Sequence, residues 1–194
     1  MTTKKSIKGT QTEKNLCAAY LNETQSYARY TYYAQQANKE LYFPIGVIFN
    51  ETAANELHHA KVFLKLLEGG KVTAEVPTDA GIIGTTAQNL AIAISEEQHA
   101  GYEGYLNDAK IADSEGFPEI ASQFRAIASI EKRHELRFQK LLQQVNDGTV
   151  WKRTTPIKWQ CLVCGYVHEG TEPPQVCPGC LHPYQHYMAL DIEL

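Results

Sequence analysis

Four stretches of the chain place apolar residues at alternating steps of three and four, which is the spacing of an amphipathic helix that buries one face. Proline stands at the start of two of these stretches and glycine follows the end of three, as is common at helix boundaries. The pattern predicts four helices, at roughly Thr12–Asn38, Pro44–Glu68, Thr85–Ser114 and Pro118–Asn146.

Charged residues occupy some of the positions that this pattern assigns to the core. The second helix carries Glu56 and His59, and the fourth carries Glu131 and His134. Residues three apart in a helix lie on one face, about one turn from each other. Both pairs are therefore expected to point into the bundle.

Each pair is accompanied by a single glutamate on the preceding helix, Glu23 in one case and Glu97 in the other, 74 residues apart. Two Glu-x-x-His pairs and two single glutamates form the ligand set of ferritin-like di-iron proteins. Buried carboxylates need partners, and two divalent cations would balance four of them. We predict two non-haem iron ions, with the same ligands acting as catalytic residues: Glu23, Glu56, His59, Glu97, Glu131 and His134.

Alternatively, glutamates and histidines on a helix can be ordinary surface residues. This interpretation suits those that lie off the buried faces: Glu51, His58, Glu96, His99 and Glu103.

The connection between the second and third helices, about Gly69–Gly84, is much longer than the other two. A long middle connection is typical of the crossover in ferritin-like bundles. The predicted fold is therefore mainly α: a ferritin-like four-helix bundle over 1–147, a linker over 148–158, and a small C-terminal metal-binding domain over 159–194 built of loops and short β-strands.

Length and charge exclude several classes of function. The 194 residues carry a net charge of −4, so the chain lacks the basic surface of a nucleic-acid-binding protein. No apolar run approaches the ~20 residues that span a bilayer. Because Met1–Thr12 is polar and lysine-bearing, it is not typical of a secretory signal, and we expect a cytoplasmic protein with no membrane partner.

Four of the five cysteines form two Cys-x-x-Cys pairs near the C-terminus. Two such pairs at this separation indicate a tetrahedral metal site, and about 38 residues are too few for a stable core without one. The predicted ligands are Cys161, Cys164, Cys177 and Cys180, with Trp159, Tyr166, Tyr187 and Leu190 packed around them. Zinc and iron both suit four thiolates. A zinc ribbon would be inert, whereas iron could supply the electrons that a di-iron site needs.

The whole chain from about Ile7 to Leu194 resembles a rubrerythrin, a di-iron bundle followed by a rubredoxin-like domain. The resemblance is carried by Glu23-Thr24-Gln25, the two Glu-x-x-His pairs, the Glu68-Gly69-Gly70 stop and the run Cys161-x-x-Cys164-Gly165-Tyr166-Val167-His168-Glu169-Gly170.

This resemblance implies a peroxidase that reduces hydrogen peroxide to water. Electrons would come from NAD(P)H through a reductase or a rubredoxin, and would enter by one iron held in the four-cysteine rubredoxin-type centre. It also implies a homodimer.

One position departs from the family pattern. Rubrerythrins carry Glu-x-x-Glu on the third helix, whereas here Glu97 is followed by Ala100. In the family, that second glutamate and the histidine matching His59 exchange on one iron when the site is reduced. We therefore expect a more symmetric site in which His59 is a ligand in both oxidation states. This favours, as an alternative function, a ferroxidase or O2-reducing iron-detoxification protein.

We expect Glu56 and Glu131 to bridge the two irons, and Glu23 and Glu97 to bind one iron each. Three tyrosines on the predicted inner faces, Tyr27, Tyr30 and Tyr105, either pack in the core or form hydrogen bonds around the ligands.

Cys17, one to two turns before Glu23, is expected to be a small buried residue.

A third functional hypothesis is electron transfer without turnover.

Overall fold

The computed structural model describes residues 5–78 and 80–191, and helices dominate this part of the chain. The domain limits expected at residues 1 and 194 lie outside the described residues. The helical segments are α1 (Gln11–Lys39), α2 (Phe43–Leu66), α3 (Thr86–Glu96), a π-helix (Glu97–Gly104), α4 (Tyr105–Ser114) and α5 (Pro118–Asn146). The predicted helices were correct within three residues, except that the third is divided by the π-helix.

Side-chain caps explain where two of these helices begin. Before α1, the Thr10 hydroxyl accepts the Glu13 backbone N–H at 3.1 Å. Before α3, the Gln88 N–H donates to the Thr85 hydroxyl at 3.3 Å, and the Gln88 side chain accepts the Thr85 N–H at 2.9 Å. Such reciprocal bonds satisfy N–H groups that a helix start leaves without an intrahelical acceptor.

Gly116 ends α4 in the way that its position predicted. Its φ of 79° lies in the left-handed region that glycine tolerates. The Phe117 N–H then bonds to the Ala112 carbonyl at 2.8 Å, which closes the helix end. Pro118 can begin α5 directly afterwards because the first helical position needs no N–H donor.

The chain divides into two compact units, and each contains parts of several helices. The first comprises the chain up to Arg29 together with Thr52–Gly81 and Ser95–Glu135. Its apolar core is formed by Ile7, Leu16, Ala19, Phe63, Tyr105, Ala109, Ala112, Phe117, Ile120, Ala121, Phe124, Ile127 and Ala128.

The second unit comprises Tyr30–Glu51, Ile82–Ile94 and the chain from Leu136 onward. Aromatic rings fill its helical part, where Phe49 and Phe138 lie 5.1 Å apart and Tyr30 lies 5.5 Å from Phe138.

A three-stranded antiparallel sheet forms the framework of the C-terminal domain in this unit. Its strands are β1 (Ile157–Cys161), β2 (Val167–Gly170) and β3 (Tyr187–Ala189), in the order β2-β1-β3. Among the described helices, none is long and apolar enough to cross a membrane.

Candidate metal centres

The six residues predicted as di-iron ligands are all buried in the first unit. Their exposed fractions are 3% for Glu23, 1% for Glu56, 7% for His59, 4% for Glu97, 1% for Glu131 and 5% for His134. They lie on α1, α2, the π-helix and α5. The helical periodicity therefore brought the expected side chains to one place.

His59 and His134 make equivalent sets of contacts. Nδ1 of His59 lies 2.9 Å from Glu56, 3.0 Å from Glu131 and 3.8 Å from Glu23. Nδ1 of His134 lies 2.9 Å from Glu131, 3.1 Å from Glu56 and 3.8 Å from Glu97. The site thus has an approximate two-fold symmetry that relates one half to the other.

The ligand atoms fall into two overlapping groups, each with its members within 4.8 Å of one another. One group is Glu23, Glu56, His59 and Glu131, and the other is Glu56, Glu97, Glu131 and His134. Because Glu56 and Glu131 belong to both groups, each can offer one oxygen to each of two ions. This arrangement is that of a carboxylate-bridged two-metal site.

The residues fit a pair of cations on grounds of hydrogen bonding as well. Glu56 Oε1, both carboxylate oxygens of Glu131 and His134 Nδ1 are buried without a hydrogen bond of acceptable geometry among the described residues. Buried polar atoms normally have partners. Carboxylate and imidazole lone pairs that converge without hydrogen bonds are suited to iron or manganese.

Burial dominates the acidity of the two outer carboxyls. It raises the pKa of Glu23 well above its ordinary value, and the nearby charge of Glu131 adds to the effect. Burial likewise raises the pKa of Glu97, with further contributions from Glu56 and Glu131. These carboxyls therefore favour the neutral form until a cation compensates their charge.

Glu56 and the two histidines of the site favour their charged forms. Burial opposes ionisation of Glu56, but the facing His134 and His59 outweigh it and lower the Glu56 pKa to about 2. Burial also opposes protonation of both histidines, yet the surrounding glutamates raise the pKa of each well above its ordinary value. Without metal, protons on His59 and His134 thus supply positive charge that metal ions would replace.

Of the three tyrosines singled out above, Tyr105 contacts a ligand directly. Its hydroxyl donates to Glu23 Oε1 at 2.6 Å. Burial and the charge of Glu23 raise the Tyr105 pKa well above its ordinary value, so the phenol keeps its proton and remains a donor.

The other two tyrosines behave differently. Tyr27 is 38% exposed, so the expectation that it faces the core is wrong. Tyr30 is buried in the aromatic cluster of the second unit. Cys17 is partly buried with a free thiol.

The π-helix decides which residue after Glu97 lies beside the predicted ligands. A π-helix bonds i to i+5, so its turns are wider than those of an α-helix and the facing positions shift. Ala100 is exposed, whereas Gly101 is buried beside the site. A Cβ atom at Gly101 would lie 2.8 Å from Glu131 Cγ and 3.6 Å from Glu97 Oε2. The residue after Glu97 that faces the ligands is thus Gly101, which leaves room for the Glu131 side chain.

The residues assigned to the surface have other contacts, but Glu96 is less exposed than expected, with 16% of its side chain accessible. Glu96 forms an ion pair with Arg29. His99 and Glu103 form an exposed pair at 3.2 Å. Glu51 pairs with Arg137 at 3.1 Å.

The four C-terminal cysteines converge in the second unit. Their sulfurs lie within 4.8 Å of one another, with 3.7 Å between Cys161 and Cys180 and 3.6 Å between Cys164 and Cys177. Cys161 and Cys177 are buried, and Cys164 is exposed. Four free thiols at this separation fit one tetrahedral ion.

Backbone donors and glycine support the cysteine site. Burial opposes ionisation of the Cys177 thiol, but the Tyr187 hydroxyl and the N–H groups of Gly179 and Cys180 outweigh it and lower the pKa to about 6. A Cβ at Gly179 would lie 3.3 Å from Cys164 Sγ, so glycine permits the close approach of the backbone.

Two of the four residues expected around the cysteines belong to the core. Trp159 and Tyr187 are fully buried against Cys161 and Cys177. Tyr166 and Leu190 are 41% and 49% exposed and do not belong to this core.

The fold and both sites define a class of protein: a ferritin-like two-metal bundle joined to a rubredoxin-like one-metal domain. The rubrerythrin family model matches residues 14–142 and 88–160, and the model for the rubrerythrin rubredoxin-like domain matches 159–188. The chain belongs to the rubrerythrin family. Its cofactors are accordingly a carboxylate-bridged di-iron site and a four-cysteine rubredoxin-type centre at Cys161, Cys164, Cys177 and Cys180.

Individual relatives agree over almost the full length. The chain is 47% identical to the rubrerythrin of Porphyromonas gingivalis over 94% of this chain and 92% of that protein. It is 44% identical to the rubrerythrin of Nitratidesulfovibrio vulgaris over 97% of this chain and 99% of that protein. A solved structure of mixed-valence nigerythrin superposes with a TM-score of 0.62 at 26% identity, covering 97% of this chain and 90% of the other.

Proposed function

We propose that the protein is a non-haem di-iron peroxidase that reduces hydrogen peroxide to water, with electrons relayed through the FeS4 centre. The observation that carries this proposal is the presence, in one chain of the rubrerythrin family, of a two-metal site and a one-electron centre. The reaction consumes two electrons and two protons for each peroxide. A donor that delivers electrons singly therefore needs a relay, and a tetrathiolate iron can provide one.

The ligand roles follow from the contacts of each side chain. Glu56 and Glu131, which belong to both ligand groups, would bridge the ions. Glu23 and His59 would complete one ion's ligands, and Glu97 and His134 the other's. These six residues would form the catalytic site. When bound, the iron pair supplies the two electrons that cleave an O–O bond.

The surrounding residues would keep this site dry and fixed. Tyr105 holds the Glu23 carboxylate by its 2.6 Å hydrogen bond and acts as a positioning residue. Phe63 and Phe124 pack 5.2 and 5.8 Å from the Tyr105 ring and immobilise it. Four carboxylates would balance the charge of two divalent ions, so loading the site would leave no uncompensated charge in the core.

The symmetry of the ligands supports a second candidate function, a ferroxidase that oxidises Fe(II) with O2 or peroxide. The contacts of His59 match those of His134, and Gly101 adds no carboxylate where the π-helix faces the site. We infer that His59 remains a ligand in both oxidation states. A structure of the reduced protein with His59 detached from iron would contradict this inference.

The two functions can be separated by rapid mixing of anaerobically reduced, iron-loaded protein with hydrogen peroxide and, in parallel, with O2. Visible absorbance follows re-oxidation of both iron centres. Much faster oxidation by peroxide, followed by the FeS4 bands, is expected for the peroxidase. Equal or faster oxidation by O2 would favour the ferroxidase, and reversible redox without peroxide consumption would indicate electron transfer alone.

A Glu131→Gln variant provides the control for the relay. Loss of a bridging carboxylate should abolish the di-iron reaction but leave the cysteines unchanged. The FeS4 centre of this variant is then expected to be re-oxidised slowly. Re-oxidation as fast as in the unaltered protein would mean that peroxide attacks the FeS4 centre directly, and the relay would be wrong.

We further propose an external reductase or rubredoxin as electron donor, a homodimer, and a cytoplasmic location. Exposed apolar side chains beside the cysteines support the docking of a redox partner: Leu162, Val163, Tyr166 and Leu181. Sedimentation of the iron-loaded protein would test the dimer. NAD(P)H consumption with a purified reductase, dependent on peroxide, would test the donor.

A further inference from the structure

The cysteine domain buries a phenol group whose hydroxyl lies beside the sulfur of Cys177. Tyr187 lies on β3 opposite Cys161, is 0% exposed, and packs with Trp159 and Cys177. Its hydroxyl oxygen is buried and makes no hydrogen bond of acceptable geometry with the described residues. A buried hydroxyl without an acceptor is costly. A phenylalanine would fill the same space without that cost.

The two tryptophans in this part of the chain, of which Trp159 is fully buried and Trp151 partly buried, have carbonyl acceptors. The indole N–H of Trp159 donates to the Gly170 carbonyl at 2.9 Å. The indole N–H of Trp151 donates to the Tyr187 carbonyl at 3.0 Å. The Tyr187 hydroxyl instead faces the sulfur of Cys177, which is itself 0% exposed.

A metal-bound cysteine is a thiolate, and a thiolate can accept several hydrogen bonds. The Cys177 sulfur already faces the backbone N–H groups of Gly179 and Cys180. A phenol proton can turn about its C–O bond between two positions near the ring plane, while the packed ring holds the oxygen in place. The hydroxyl and the loaded thiolate therefore satisfy each other.

We propose that Tyr187 donates a hydrogen bond from its hydroxyl to Cys177 Sγ and thereby raises the reduction potential of the FeS4 centre. Ferric iron with four thiolates has a net charge of −1, and the ferrous form that results from one-electron reduction has −2. A hydrogen bond to sulfur stabilises the more negative form more strongly, so it favours reduction. Tyr187 is a positioning residue for this centre. The inference is independent of whether the di-iron site prefers peroxide or O2.

The test is a redox titration of the full-length, iron-loaded Tyr187→Phe variant, followed by the visible bands of the FeS4 centre. The ring and its packing remain, and only the hydroxyl is lost. We expect about a tenfold lower ratio of reduced to oxidised centre at a fixed potential, which is a negative shift of about 59 mV for one electron. Tyr166→Phe is the matched control, because Tyr166 belongs to the same domain and its side chain is 41% exposed. Its potential should not change.

A second measurement uses the unaltered sequence with cadmium-113 in the cysteine site. The Tyr187 hydroxyl proton should exchange slowly with water and show a through-bond coupling to the metal in NMR spectra. This result does not depend on whether the variant folds. An unchanged potential in Tyr187→Phe, or a hydroxyl proton without coupling to cadmium, would overturn the proposal.

Discussion

The two metal sites are built in opposite ways. The predicted di-iron ligands project from long helices and, for Glu97, from the π-helix; every one is at least 93% buried, and histidines and carboxylates compensate one another's charge. The cysteines lie in and beside short strands and turns, and Cys164 is exposed. Helices that have their own apolar core can hold ligands in place before metal arrives, whereas a small domain obtains much of its stability from the metal. The two-metal site therefore depends on the helical fold, whereas the fold of the cysteine domain is expected to depend on its metal.

Metal removal should separate the two regions most strongly. Structural zinc contributes about 10–16 kcal/mol to the folding of zinc-finger peptides. By the same coupling of metal binding to folding, the cysteine domain should lose its fold when iron is chelated under reducing conditions. The helices should persist, because His59 and His134 can balance the buried glutamates with protons.

Both tryptophans of the chain, Trp151 and Trp159, lie in or next to the cysteine domain, so their fluorescence reports on that region. Far-UV circular dichroism reports mainly on the helices. Fluorescence should change markedly on chelation, while helical ellipticity remains. Simultaneous loss of both signals would contradict the proposed difference between the sites.

Within the di-iron site, bridging and terminal carboxylates should differ in their effects. Glu131→Gln should remove binding of both ions, because Glu131 belongs to both ligand groups. Glu97→Gln should weaken the binding of one ion and leave the ligand group that contains His59 intact. Iron content per chain and titration with Fe(II) would measure the difference. Equal losses in the two variants would show that Glu131 does not bridge.

The π-helix offers a smaller but sharper test at two neighbouring positions. Gly101→Ala would place Cβ 2.8 Å from Glu131 Cγ, so we expect a loss of about 1–3 kcal/mol from overpacking, partly offset by the better helix propensity of alanine. Iron affinity should fall with it, because Glu131 must move. Thermal unfolding with and without iron would measure both effects.

Ala100→Glu is the matched control for this prediction. It restores a carboxylate where the family pattern has one, but the position is exposed. Iron content and the visible spectrum should therefore remain unchanged. A changed iron spectrum in this variant would mean that position 100 reaches the site after all.

The smallest expected effect lies away from both metal sites, at Asp108 on α4. Burial raises the pKa of Asp108 from 3.8 to about 6. Because the folded pKa is higher than the unfolded one, folding disfavours the charged form. The penalty is absent below about pH 4, grows up to about pH 6 and is then constant. Asp108→Asn should therefore stabilise the protein by about 1–2 kcal/mol at pH 7 and hardly at pH 4.

Denaturant titrations at the two pH values would measure this difference. Asp113→Asn on the same helix is the control, because Asp113 forms an exposed pair with Arg125 at 2.8 Å. Its loss should cost no more than about 1 kcal/mol at pH 7. A stabilisation by Asp108→Asn that is equal at both pH values would rule out the titration as its cause.

The spacing of residues along the chain by itself determined the helices, the six buried ligands and the four cysteines. These features depend on local periodicity, which sequence expresses directly: Glu56 and His59 share a helix face whatever surrounds them. Likewise, two Cys-x-x-Cys pairs can close a tetrahedral site in many backbone arrangements.

Tertiary structure alone decided which neighbouring residues support these sites. The inward position after Glu97 is Gly101, because the helix widens to a π-helix there, and no periodic pattern predicted that change. Tyr27 is exposed and Tyr105 bonds to Glu23, although both lay on predicted inner faces. The burial of the Tyr187 hydroxyl beside Cys177 depends on how β3 packs. Such contacts are set by packing between distant segments, which the periodicity of a single segment does not contain.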